Sequence, residues 1–167
     1  MALGAGAMAA LPGRFSDTGV LALFGAYFLV LVLLLATDLD QRLLPDVITL
    51  PLIPVSLAVA VLGWDPLVRD QLAGAFAVAI VVPLVLFALS IPFGAGAIGV
   101  GDLKLLVSVG LLSGLSRTVI GVAVGVLLAG AVIVLLLAAR RVTMKSFIPF
   151  GPFLIAGAFW AVLVNMG

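Results

Sequence analysis

Apolar residues run through this 167-residue chain in long blocks that show neither strand alternation nor the one-sided stripe of a surface helix. The stretches Val20–Ala36 and Val119–Ala139 are apolar on every face, as a helix must be when lipid or other helices surround it. Polar, charged and Gly/Pro positions fall between the blocks and divide the chain into six expected spans, at about 20–37, 47–63, 71–91, 103–115, 118–139 and 149–165. An outer-membrane barrel would instead show short segments of alternating polarity. The expected fold is therefore all-α, a polytopic transmembrane bundle of about six spans. Residues 1–19 lack the basic start and defined apolar centre of a secretory signal, and their Gly/Ala content suggests a loosely ordered N-terminal tail. Residues 20–167 would then form one membrane-embedded unit.

Composition agrees. Hydrophobic residues make up 65% of the chain and charged residues 9%, with a mean hydropathy of +1.48, far from the roughly 25% charged content of a soluble domain. A net charge of +1, carried by scattered single bases, gives no stripe for phosphates and argues against a nucleic-acid partner. The chain has neither cysteine nor histidine. That removes disulfides, thiolate and imidazole metal sites, and Ser-His or Cys-His nucleophiles, leaving aspartate as the general acid or base for neutral pH. Pro51, Pro54 and Pro83 fall inside apolar runs and should kink their helices, while Gly121–Gly125 has the spacing for close helix packing within the bundle.

All seven acidic residues are aspartates. If all six spans cross, the connections at 38–46, 92–102 and 140–148 share one side, which brings Asp38, Asp40, Asp46 and Asp102 together. That side carries Arg42, Lys104, Arg140, Arg141 and Lys145, against Arg14, Arg69 and Arg117 on the other, so the positive-inside rule puts the four aspartates in the cytoplasm. Asp65 and Asp70, beside Trp64, read as a solvated turn on the opposite side, and Asp17 as an exposed cap.

Asp38 follows Leu-Ala-Thr at the end of the first span, where a carboxylate meets the unfavourable end of the helix dipole. Asp40 lies about 200° further round the same helix, which makes it peripheral, a substrate or orienting contact. Asp46, after Pro45, has the position of an N-cap for the second span. Asp102 ends a glycine-rich segment, and Gly99 and Gly101 suit either a tight turn or the floor of an extended-peptide site. Lys104 sits on a different helical face from Asp102 and reads as a headgroup contact. Two carboxylates a few ångströms apart in a poorly solvated site titrate in two steps, so that one is acid and the other base. This is the pairing that amide hydrolysis by water requires.

Three blocks carry a family resemblance: Asp38-Leu-Asp-Gln-Arg-Leu-Leu-Pro-Asp-Val-Ile-Thr-Leu-Pro, Gly99-Val-Gly-Asp-Leu-Lys-Leu-Leu and Ile148-Pro-Phe-Gly-Pro. Together they resemble the bacterial type IV prepilin peptidases, over roughly residues 20–165. The resemblance implies Asp38 and Asp102 as the catalytic pair, with Asp40, Asp46, Gly99, Gly101, Lys104, Pro149 and Gly151 binding substrate or supporting the site. It implies an inner-membrane enzyme, with its active site facing the cytoplasm, that removes the short leader from prepilins and pseudopilins. No metal or cofactor is implied. Longer members carry an N-terminal cytoplasmic domain with Cys-x-x-Cys motifs and methylate the new N-terminus; this chain is similar to a short, peptidase-only form. A proton- or cation-coupled transporter is the rival from another class, since boundary carboxylates and broken helices also build ion sites.

Overall fold

In the computed structural model, residues 2–41, 44–93, 98–139 and 150–164 are described. They form six α-helices: α1 (Ala2–Arg14), α2 (Thr18–Gln41), α3 (Asp46–Val61), α4 (Leu72–Ser90), α5 (Val100–Ala138) and α6 (Gly151–Leu163), with a 3-10 turn at Ile91–Phe93. No strand occurs among the described residues. α2, α4 and α5 are each long and apolar enough to cross a membrane, and α3 and α6 are shorter apolar helices. The chain is an all-helical, polytopic membrane bundle, as its polarity pattern requires.

The 39 residues of α5 make two spans because of one glycine. Gly114 has φ 72° and ψ −179°, a conformation that a β-carbon disfavours. Beyond it the chain folds back: the Thr118 hydroxyl donates to the Val109 carbonyl at 3.4 Å, whereas a continuous helix would separate these residues by about 13 Å. The spans expected at 103–115 and 118–139 are the two limbs of this hairpin. The reversal falls at Gly114 rather than at 116–117, because Ser116 and Arg117 carry the β-carbons that a positive φ disfavours.

Glycines then bring the limbs close to their neighbours. A methyl group on Gly110 would lie 2.7 Å from the Ala79 α-carbon of α4. One on Gly121 would lie 2.7 Å from the Gly157 carbonyl oxygen, and one on Gly125 2.7 Å from that of Phe153, both in α6. The Gly121–Gly125 pair thus packs within the bundle, as its spacing suggests. Phe24, Phe28, Leu31 and Leu34 of α2 complete the core against Leu105 and Val109 of α5 and Ile155 and Phe159 of α6; the Phe28 and Phe159 rings meet edge to face at 4.8 Å. α3 ends in a Schellman turn, in which Gly63 (φ 68°) and Trp64 donate to the carbonyls of Ala60 and Val59.

Two expectations are corrected. The N-terminal tail is helical from Ala2 to Arg14 and folds back on α2 and α6, burying Ala7 and Leu11; Phe15 beyond it stacks on Phe24 at 4.8 Å. Its alanines have the highest intrinsic helix propensity, and its small residues allow close contact with α2. Asp65 is not solvated: it is fully buried in the α3–α4 turn, and its Oδ1 accepts the Leu67 N–H at 2.8 Å.

Burial pushes the Asp65 carboxyl up to about 7, against the lowering effects of the Leu67 N–H and the Arg117 charge. A carboxyl with a raised folded-state pKa favours the protonated native state. Stability should therefore fall as pH rises from about 4 to about 7, by up to a few kcal/mol, and level off above. Asp65→Asn should make that decline shallower than in the unmodified protein when thermal unfolding is followed in detergent from pH 4 to 8. Parallel profiles for the two proteins would show that Asp65 does not titrate in this way.

Candidate active site

Asp38 lies in the last turn of α2 and Asp102 in the first turn of α5, with only 4% and 7% of their surfaces exposed. α6 packs on both helices and begins at Gly151. A methyl group on Gly151 would come within 2.5 Å of Asp38 Oδ2 and 3.1 Å of Asp102 Oδ1. The two carboxylates therefore converge on one point beside the α6 backbone. Their separation cannot exceed those two distances laid end to end, which is within the roughly 4–6 Å over which neighbouring charges perturb each other. Asp38 Oδ2 is buried and has no hydrogen-bond partner among the described residues.

Local sequence sets each position. α2 continues to Gln41, so Asp38 faces inward while Asp40 is exposed on the other side, beside a cavity of about 310 Å³ shared with Gly4, Val32 and Leu39. Gly99 is the extended residue before α5 (φ −67°, ψ 141°), and its carbonyl accepts the amides of Asp102 and Leu103 at 3.0 and 3.3 Å. Pro152 falls in the first turn of α6, where its missing N–H breaks no helical hydrogen bond. α5 and α6 thus both start at the aspartate pair. Their N-terminal dipole ends favour negative charge there, partly offsetting the opposing end of α2.

Three assignments change. Asp46 does not cap α3: Pro45 holds the cap position without a side-chain bond, and the Asp46 carboxylate pairs with Lys104 at 2.7 Å. Lys104 accordingly reaches across to the start of α3 rather than to headgroups. A pair this exposed contributes about 0–1 kcal/mol, so its value is in registering α3 against α5. Gly101 does not floor an open groove, since a methyl group there would meet Leu44 Cβ at 2.7 Å and its carbonyl oxygen at 3.0 Å. The close backbone approach that glycine permits is made by the protein's own chain. Gly99 is exposed, and a methyl group there would lie 3.3 Å from Asp102 Oδ2. Leu44 was not singled out in the sequence; its place between Asp38 and Asp46 was the available signal. Pro149, Arg42 and the cluster Arg140, Arg141 and Lys145 lie outside the described residues.

The crowding at Gly151 has a direct test. Gly151→Ala should destabilise the protein by about 1–3 kcal/mol, the usual cost of overpacking. Combining it with Asp38→Ala, which removes the carboxylate that the methyl group meets, should cost less than the two single changes added, with a coupling of about 0.5–3 kcal/mol in thermal unfolding. Strict additivity would place the two residues out of contact.

The type IV leader peptidase family matches residues 25–138, which hold both aspartates. Among curated relatives named prepilin leader peptidase/N-methyltransferase, the protein of Burkholderia pseudomallei (strain 1026b) is 37% identical over 161 residues, covering 93% of this chain and 49% of its own. The Aeromonas hydrophila protein is 35% identical over 135 residues, 81% of this chain and 46% of its own. That of Pectobacterium carotovorum subsp. carotovorum is 31% identical over 147 residues, 87% and 53%. The chain thus spans about half the length of the curated relatives it matches. No solved structure matches. A match across most of the bundle, in which both aspartates are embedded, makes this chain a member of the type IV leader peptidase family.

Proposed function

We propose that this protein is a membrane aspartyl endopeptidase that removes the short leader of type IV prepilins and pseudopilins at the cytoplasmic face of the inner membrane, with Asp38 and Asp102 as its acid/base pair. The observation that carries the reading is the convergence of both carboxylates on Gly151. Family membership supports the substrate class. Of the two activities in the relatives' names, peptide hydrolysis is the one a carboxylate pair performs.

The chemistry needs one proton shared between the two groups. The ionised carboxylate takes a proton from water as the oxygen attacks the scissile carbonyl carbon, and the protonated partner gives its proton to the carbonyl oxygen. Collapse of the resulting gem-diol breaks the C–N bond. The carboxyl that gained the water proton delivers it to the leaving nitrogen, and the other recovers its proton from the gem-diol hydroxyl. Because both side chains are almost fully buried, a peptide reaches them only when the elements around the pair move apart. The count of bases, Arg42, Lys104, Arg140, Arg141 and Lys145 against Arg14, Arg69 and Arg117, supports a cytoplasmic orientation. A coupled carrier would be expected to hold acids along its spans. Here Asp38, Asp40, Asp46 and Asp102 gather at one end of the bundle.

Asp38→Asn and Asp102→Asn should each lower cleavage of a prepilin-like peptide by about 10²–10⁴-fold, the usual contribution of a positioned acid or base, while the protein still folds. Asp70→Asn, exposed on the α3–α4 turn, should cleave normally. The assay uses purified protein in detergent. Undiminished cleavage by either of the first two variants would exclude the pair.

A further inference from the structure

The end of the bundle away from the aspartates carries a second cavity, of about 340 Å³, where the end of α1, the start of α2 and the α3–α4 turn meet. Its walls include Arg14, Phe15, Asp17, Val20, Trp64 and Arg69. Neither arginine is paired with a carboxylate; the ion pair found among the described residues is Lys104–Asp46. Arg69 donates from Nε and Nη2 to the Gly63 carbonyl, at 3.3 and 2.9 Å, which holds its fork in place. Arg14 lies over the Phe15 ring, 5.1 Å from its centre, and its buried Nε has no hydrogen-bond partner among the described residues. The position of Arg14 in the last turn of α1 suits the helix dipole, but that does not satisfy Nε.

The neighbouring acids are engaged elsewhere. Asp17 Oδ1 accepts the amides of Gly19 and Val20 at 2.7 and 3.1 Å, and Asp65 is fully buried with its Oδ1 on the Leu67 amide. A third cation, Arg117, is within electrostatic reach of Arg14 and gives its Nη1 to the carbonyls of Ala161 and Val164, at 3.3 and 2.5 Å. Two arginines and one aspartate line the cavity, an excess of one positive charge. Planar arginine forks match the oxygens of a phosphate. Exposed Leu62 and Trp64, at 58% and 64%, flank the place and mark it as an interface between apolar chains and water.

We propose that this cavity binds the phosphate of an anionic phospholipid headgroup, with Arg14 and Arg69 as its ligands. The flanking apolar surface selects a ligand that carries acyl chains over a free ion. The excess of positive charge disfavours a headgroup that brings its own cation.

The test uses the full chain in nanodiscs of phosphatidylcholine with graded phosphatidylglycerol, and native mass spectrometry to identify the retained lipid. The protein should keep phosphatidylglycerol in preference to phosphatidylcholine. Arg14→Gln/Arg69→Gln should lose that preference by about tenfold or more, as expected when charge-assisted bonds are removed, and Arg14→Lys/Arg69→Lys should retain part of it. Circular-dichroism melting checks the fold; should the glutamine pair not fold, the lysine pair and Arg69→Gln alone carry the comparison. Equal retention of both lipids by the unmodified protein, or an undiminished preference in the folded variants, would overturn the site. A thermal shift with inorganic phosphate in detergent, without any preference among lipids, would overturn the lipid assignment in favour of a free ion.

Discussion

The arrangement rests on one steric constraint: two carboxylates and the start of a helix share a space with no room for a β-carbon. Gly151 lets the α6 backbone run beside Asp38 and Asp102, and the close approaches of Gly121 and Gly125 pack α5 against the same helix. The Gly114 reversal turns α5 into a hairpin whose first limb carries Asp102 and whose second limb packs on α6 through Gly121 and Gly125. At the start of α5, Gly101 lies under Leu44 and Lys104 reaches Asp46, so the segment before α3 is registered against the helix that holds Asp102.

Small residues take this role because lipid removes the usual driving force. Apolar side chains gain little by leaving hydrocarbon for other apolar side chains, so helices in a membrane associate through close van der Waals contact. Glycine-to-backbone approaches provide that contact and fix geometry at the same time. They also allow α5 and α6 to begin at a common point, where their dipole ends face the two carboxylates. Burying two acids would otherwise be costly, and these dipole ends offset part of that cost.

Much of this could be read in the chain, and what could not follows a physical pattern. Spans came from all-round apolarity, and the joint location of Asp38 and Asp102 from counting crossings, because both are properties of contiguous sequence. The helical N-terminus was obscured by Gly/Ala composition, which suits either a loose tail or a tightly packed helix. The local sequence predicts a solvated Asp65, because burial of a carboxylate depends on what covers the turn, and Arg117 is 52 positions away. The same limit applied to Asp46 and Lys104: an N-cap is a local motif, whereas their ion pair is a tertiary one. Gly151 was visible as part of a motif, but only three-dimensional geometry shows that it touches both aspartates.

The central claim, that Asp38 and Asp102 meet, can be measured without reference to activity. The chain has no cysteine, so an Asp38→Cys/Asp102→Cys variant carries two thiols on a clean background. A short bifunctional thiol reagent, or mild oxidation, should join them within one chain in nearly all of the folded protein, detected as the loss of both thiols by mass spectrometry. Two thiols that remain separately alkylatable in folded protein under those conditions would contradict the account.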